Sequence, residues 1–187
     1  MPKDKISIIK RKIKYPRIEL KTGVPILILP QNNSFDEIEI LDKHKKWLKQ
    51  KLEFIEKTKK KYKNQKIYKR SDNDLIKLVT NFIDKYSKVL EKKPDKISFR
   101  YMKTKWASCS RKNKITFNFM LKYLPSRLIR YVTFHEMAHL LVPNHSKDFW
   151  FLIKREFKNY TQYEEQLFGY WFLLLEKLPK DKTSQFY

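Results

Sequence analysis

Hydrophobic positions along the chain recur with two different periods. Ile6 to Leu20 and Val24 to Leu29 are rich in Ile and Leu, with Lys21-Thr22-Gly23 between them, a pattern that predicts a β-hairpin. Pro16 and Pro25 mark its strands as edge-like, because proline has no N–H to give to a ladder. Ser34-Phe-Asp-Glu37 then has the form of a capping box, and Ile38, Leu41, Leu48, Leu52 and Ile55 follow at helical spacing. A first helix to about Lys60 follows from that stripe. A second runs from about Asp72 to Leu90, with Leu75, Val79, Phe82, Ile83, Tyr86 and Leu90 on one face, and Pro94 ends the region.

The period then returns to two. Ile97, Phe99 and Tyr101 alternate with polar or smaller neighbours, and Ile115, Phe117 and Phe119 alternate with Thr116 and Asn118. Thr104 to Lys114 reads as the segment linking these strands. Pro125 can open a helix at its first turn, running to about Val142, where Pro143 stops it. Ser146 can cap another helix through Phe157, and Thr161-Gln-Tyr-Glu164 resembles a further capping box, ahead of a last helix carrying Leu167, Trp171, Leu174, Leu175 and Leu178. Strands, two helices, strands and three helices predict an α+β fold, a small antiparallel or mixed sheet packed on helices. The pattern is read as a single domain over 1–187: a hairpin region at 1–33, a two-helix segment at 34–94, a core at 95–178 and a tail at 179–187.

Composition narrows the function. The 187 residues suffice for one domain with a core, and 15% aromatic content excludes a disordered polyelectrolyte. The nearly uncharged apolar stretch Leu167 to Leu175 is too short to span a bilayer, and no apolar signal core follows Met1. One cysteine, Cys109, excludes an internal disulfide framework and any multi-cysteine zinc site. A cytoplasmic location is the expectation. The net charge of +23 suits a polyanionic partner such as nucleic acid. It also suits a chain biased toward Lys, Ile, Asn, Phe and Tyr, with only two glycines. The densest basic run is Lys57 to Arg70, with Tyr62 and Tyr68 interleaved as base stacking would use them.

Three of the four histidines fall within eleven residues, in His135-Glu136-Met137-Ala138-His139 and His145. On a helix, residues four apart share a face, so His135 and His139 can bind one metal ion. Glu136 is turned about 100° around the axis and can reach a metal-bound water without being a ligand. Two His ligands and a Glu general base is the logic of the zinc proteases. A turn at Pro143 can return His145 as third ligand, leaving one position of the ion open for water. Glu156, Glu164 and Glu165 are the alternative third ligands. Val142 stands where a metzincin has glycine, and no methionine follows Met137, so that class does not fit. His44 reads as an ordinary side chain of the first helix.

Lys103-Thr-Lys-Trp-Ala-Ser-Cys-Ser110, Ile115-Thr-Phe-Asn118, Tyr131-Val-Thr-Phe-His-Glu-Met-Ala-His-Leu-Leu141, Asn144-His-Ser146 and Phe149-Trp150 together resemble the YgjP-like metallopeptidase-domain family. That family is similar in its motif to the SprT and WLM metalloproteases. The resemblance covers roughly Ile97 to Leu178. It implies a zincin-like fold, the H-E-x-x-H motif on a central buried helix, one zinc ion on His135, His139 and His145, and Glu136 as catalyst. Lys105 stands where the family usually has Arg and Ala107 where it usually has Gly, which bears on the Trp106 loop. In zincins a sheet edge beside the active-site helix holds extended substrate, and the strands at Ile97 and Ile115 are the candidate edges. Trp106, Ser108 and Asn118 are the candidate substrate contacts.

Three readings follow. The first is a zinc-dependent metallopeptidase. The second is a metal-dependent hydrolase of nucleotides or other phosphorylated substrates, for which lysine-rich walls would serve. The third is a nucleic-acid-associated protein with structural zinc, against which Glu136 argues, since a structural site needs no base. If the Lys57 to Arg70 run binds nucleic acid, affinity should fall steeply with salt, and neutralising Lys59, Lys60, Lys61 and Lys63 should flatten the log–log slope. A titration showing no binding at low salt leaves composition as the explanation of the charge.

Overall fold

The computed structural model describes residues 6–20, 23–32 and 35–178. The chain divides into two units, Met1–Lys63 and Asn64–Tyr187. Of the two helices read at 34–94, the first falls in the first unit and the second in the second. Among the described residues, no helix is long and apolar enough to cross a membrane.

The first unit holds β1 (Ser7–Arg11), β2 (Arg17–Glu19), β3 (Ile26–Pro30) and α1 (Glu37–Tyr62). The predicted hairpin exists only in part. β2 and β3 pair antiparallel through Arg17↔Ile28 and Glu19↔Ile26. The Ile6 to Leu20 run, however, breaks ahead of Pro16, and β1 pairs parallel to β3 from Ser7↔Ile26 to Arg11↔Pro30. The order is β1-β3-β2, so the strand that follows Pro25 is central rather than an edge. Pro25 is tolerated because it precedes the ladder and offers only its carbonyl, which accepts from the Ser7 N–H at 3.1 Å. Gly23 turns the hairpin at φ 80°, a value that favours glycine. Lys21, Thr22 and Ser34 lie outside the described residues, so the capping box anticipated from Ser34 is not described. The N-cap is Asp36, whose carboxylate accepts from the N–H groups of Ile38 and Glu39. Leu48, Ile55 and Tyr62, seven apart, are the buried stripe of α1.

The second unit begins with an extended segment and continues with α2 (Asp72–Leu90), β4 (Lys96–Arg100), β5 (Ala107–Cys109) and β6 (Lys114–Asn118). A short 3-10 helix (Phe119–Tyr123), α3 (Ser126–Ala138), α4 (Lys147–Glu156) and α5 (Tyr160–Lys177) complete it. α2 spans its predicted range and is opened by a true capping box of Ser71 with Asp74. Its Leu75, Val79, Ile83 and Tyr86 are fully buried. The sheet order is β4-β6-β5, with β6 parallel to β4 and antiparallel to β5. Thr104 to Lys114 is thus more than a linker: it contains β5, three residues too short for alternation to register. Ile97 belongs to an edge strand, whereas Ile115 belongs to the central one.

Three helix ends differ from the sequence reading. α3 stops at Ala138, four residues early. Val142 precedes Pro143 and is disfavoured from the α region, so the last turn tightens: the Leu140 N–H meets the Met137 carbonyl, and those of Leu141 and Val142 share Ala138. Ser146 is the N-cap of α4, but its side chain makes no cap bond. α5 starts at Tyr160 after Asn159, and the box read at Thr161–Glu164 does not form, because the Glu164 carboxylate is bonded by the Tyr131 hydroxyl.

The basic run at Lys57–Arg70 is partly structural. Tyr62 is buried. The Tyr68 N–H donates to the Tyr123 carbonyl at 3.0 Å, and the Tyr170 hydroxyl donates to the Lys66 carbonyl at 3.1 Å. Arg70 lies over the Tyr68 ring while its guanidinium donates to the carbonyls of Lys122 and Leu124 and to the Ser126 hydroxyl. The fork ties the entry of α2 to the entry of α3. Arg70→Ala should destabilise the protein by about 2 kcal/mol in urea unfolding. Arg70→Lys should recover less than half of that, because a point charge cannot span three acceptors.

Candidate metal centre and cleft

α3 is built to bury a face. Leu128, Ile129, Tyr131, Phe134, Met137 and Ala138 are at most 1% exposed, and α2, α4, α5 and β5 pack on it. His135 and Glu136 lie in its last turns and His139 is its C-cap. The early end of α3 has a direct effect on the histidines. It leaves the Val142 carbonyl free to accept from His139 Nδ1 at 3.1 Å, which fixes the tautomer and leaves Nε2 for a metal. The chain then reverses through Pro143, and Asn144 accepts from the Ser146 N–H at 3.2 Å. This carries His145 back so that its Nε2 lies 3.1 Å from that of His135.

One ligand atom from each of the three histidines falls within 4.8 Å of the others, a group that can hold a metal ion. Nitrogens at about 2.0–2.1 Å from a tetrahedral zinc are about 3.3 Å apart, close to the spacing of His135 and His145. The rings are held by aromatic packing. Phe149, fully buried on α4, stacks on His139 at 4.5 Å and meets His135 and His145 edge-on at 4.9 and 4.8 Å. Trp150 stacks on His145 from outside and on Tyr160 in turn. Burial pushes His135 down to about 3, and the like charges of His139 and His145 push the same way, so the imidazole is neutral as a ligand must be. His139 is lowered by burial as well.

Glu136 is 7% exposed and opens into the same cleft. Burial raises its pKa to about 7 against two opposing influences, the positive charge of Lys105 and the Cys109 main-chain N–H that donates to the carboxylate. Both come from the segment that the sequence reading treated as a linker. The cleft, about 350 Å³, is lined on one side by Lys105 to Cys109 and on the other by Tyr131, His135, Glu136, His139, His145 and Glu164.

Glu164 is the carboxylate nearest the histidines. It accepts from the Tyr131 hydroxyl at 2.5 Å and stands 3.7 Å from His135 Nδ1, the ring atom turned away from His145. Of the alternative third ligands it alone lines the cleft. Glu156 accepts from Tyr86 on the far side of α3. His44 lies beside Trp47 on α1.

The candidate substrate contacts separate. Trp106 and Ser108 line the cleft, Trp106 with its ring edge-on to Trp171 at 4.9 Å. Asn118 does not. It is fully buried, and its amide donates to the carbonyls of Met102 and Lys105 while its oxygen accepts from the Met120 N–H. Its hydrogen bonds are used inside the fold, so it supports the cleft wall without facing substrate. The Cys109 thiol, pushed by burial up to about 11, stays protonated.

The sheet edge that borders the cleft is β5. The Asn118 N–H donates to the Trp106 carbonyl, and the Ser110 N–H to that of Lys114, so Ser108 forms the paired position between them. The main-chain groups of Ala107 and Cys109 therefore point away from β6, toward α3 and the cleft.

A profile of the YgjP-like metallopeptidase domain matches residues 58–169, from the last turns of α1 to Gly169 of α5. The chain belongs to this family. It is, at the family level, a metal-dependent peptidase, and the family implies a divalent metal. Among solved structures, the chain is similar to the metallopeptidase zymogen of Pyrococcus abyssi, abylysin, at 22% identity and a TM-score of 0.44, over 48% of this chain and 90% of that one. Comparison with curated proteins returns no match.

The buried carboxylate makes stability pH-dependent. The folded pKa of Glu136 lies above its ordinary 4.5, so the neutral acid favours folding below pH 4.5 and that stability is lost as pH rises through about 7. In chelator-treated protein, Glu136→Gln should gain on the parent by about 3 kcal/mol between pH 4 and pH 8 in urea unfolding. A gap constant over that range would mean that the carboxyl is solvated.

Proposed function

We propose that this protein is a zinc-dependent peptidase of zincin-like fold in which Glu136 is the general base. The observation that carries this reading is that a buried carboxylate and three convergent imidazoles open into one cleft beneath an unpaired strand edge. His135, His139 and His145 would hold the ion. A bound divalent metal supplies Lewis-acid polarisation of a carbonyl and lowers the pKa of water.

The chain's own groups perform the rest. The Ala107 N–H and carbonyl and the Cys109 carbonyl, which face away from β6, pair with an extended peptide and lay its backbone across the cleft, while the Cys109 N–H stays on Glu136. Trp106 and Ser108 lie where flanking side chains pass. Glu136 takes a proton from the attacking water and gives it to the leaving amine, a double task that suits a carboxylate raised toward neutrality. Lys105 and the Cys109 N–H stabilise its charged form, while the apolar helix around it favours the neutral one. Val142 fixes the His139 ring from its far side, and Tyr131 holds Glu164 3.7 Å behind His135.

Purified protein should carry about one zinc per chain, and His135→Ala, His139→Ala and His145→Ala should each lower that content by elemental analysis. Full occupancy in His145→Ala, with loss in Glu164→Ala, would move the third ligand to α5. Glu136→Gln should keep zinc and fold yet lose 10²–10⁴-fold in turnover. Peptide and nucleoside-triphosphate hydrolysis assayed side by side, with and without chelator, tests the substrate class. Chelator-sensitive triphosphate turnover without peptide cleavage would overturn the peptidase reading.

A further inference from the structure

From Lys96 to His135 the chain contains ten Lys and Arg residues and not one Asp or Glu. A chain of 187 residues with 20 acids would place about four acids in any such 40-residue stretch. A bias toward lysine explains the basic residues but not the exclusion of acids. The stretch is also the one that builds β4, β5, β6 and most of α3, and therefore the wall of the cleft.

Seven of these ten charges fall into two groups. Lys122 is paired with Asp72 at 2.7 Å, Arg127 donates to Gln166 at 2.8 Å, and Arg130 lies over the Phe157 ring. Those three are used in the fold. Lys105, Arg111, Lys112 and Lys114 are exposed and make no ion pair among the described residues. Lys105 precedes β5 and lines the cleft. The other three follow β5 at the turn into β6. The position of Lys105 is not that of a loose surface chain, because its carbonyl is pinned by buried Asn118 at 2.7 Å. Of the two carboxylates that line the cleft, Glu164 sits beside His135, and Glu136 meets the strand edge at one point, the Cys109 N–H.

We propose that the strand edge of β5 receives an acidic extended peptide segment, selected by Lys105 at one end and by Arg111, Lys112 and Lys114 at the other. This rests on the peptidase reading and names its substrate class. The three-residue strand is short, with Lys105 just before it and the Arg111 turn just after it, so a peptide paired along β5 brings side chains on both flanks of the scissile bond near a cation. Such pairs select a partner and its register more than they add affinity.

The test uses two peptides of equal length that differ only in Glu against Gln at the flanking positions. Binding is read by fluorescence anisotropy on zinc-loaded Glu136→Gln protein, and cleavage is read on the parent. The acidic peptide should bind at least tenfold tighter at low ionic strength, and the preference should collapse at 0.5 M salt, where screening shortens to a few ångströms. Lys105→Gln should reduce the ratio, and Lys105→Glu should invert it toward a lysine-flanked peptide. Equal binding of the two peptides overturns the proposal, as does a preference unchanged in Lys105→Glu combined with Arg111→Gln and Lys112→Gln. Displacement of the acidic peptide by an equal concentration of single-stranded oligonucleotide also overturns it, marking the face as a general polyanion surface. Peptides bound with the stated preference but left uncut by the parent would count against the peptidase reading alone. Peptides cut without regard to charge would count against this proposal alone.

Discussion

The cleft depends on one buried amide. Asn118 ends β6, and its side chain makes three bonds in an interior where an unmet polar group costs about 1–3 kcal/mol. One bond starts the 3-10 helix at Met120. The other two hold Met102 and Lys105, the chain that leaves β4 and returns as β5. With only two glycines in the protein, and alanine rather than glycine after Trp106, this return is held by side-chain donors instead of backbone freedom. Moving that segment would displace the Cys109 N–H from Glu136 and the Trp106 ring from Trp171.

A second constraint acts on the opposite wall. Proline at 143 forbids the last turn of α3 from staying helical, and the released Val142 carbonyl becomes the partner of His139. Phe149 then supplies a common aromatic floor for all three imidazoles. Ring orientation is thus set by a main-chain carbonyl and an aromatic side chain, which hold the imidazoles rigid without adding charge beside them.

Much of this is readable in the amino-acid sequence, and the remainder is hidden for physical reasons. α2 is legible because its apolar stripe is long and Pro94 closes the region after it. The histidine spacing is legible because helical geometry is periodic. β5 is not, since three residues carry no period, and alternation points instead to the strands of Ile97 and Ile115. Asn118 alternates with apolar residues as an exposed position would, yet its carboxamide is satisfied three times over inside the fold. Glu164 sits where a capping residue belongs, and only the tertiary approach of Tyr131 reveals its engagement. Lys105 and Glu136 are 31 positions apart, a relation no local pattern carries.

The open edge of β5 has a cost of its own. An unpaired strand with its amides facing outward is a template on which a second copy of the same chain can zip. Here that template is bracketed by lysine and arginine on both sides, with no acid near enough in sequence to neutralise them. Two molecules approaching edge to edge would bring like charges together at the ends of the contact. The same cations thus oppose self-pairing of the strand, and a chain that exchanged them for neutral residues would trade that repulsion for an adhesive rim.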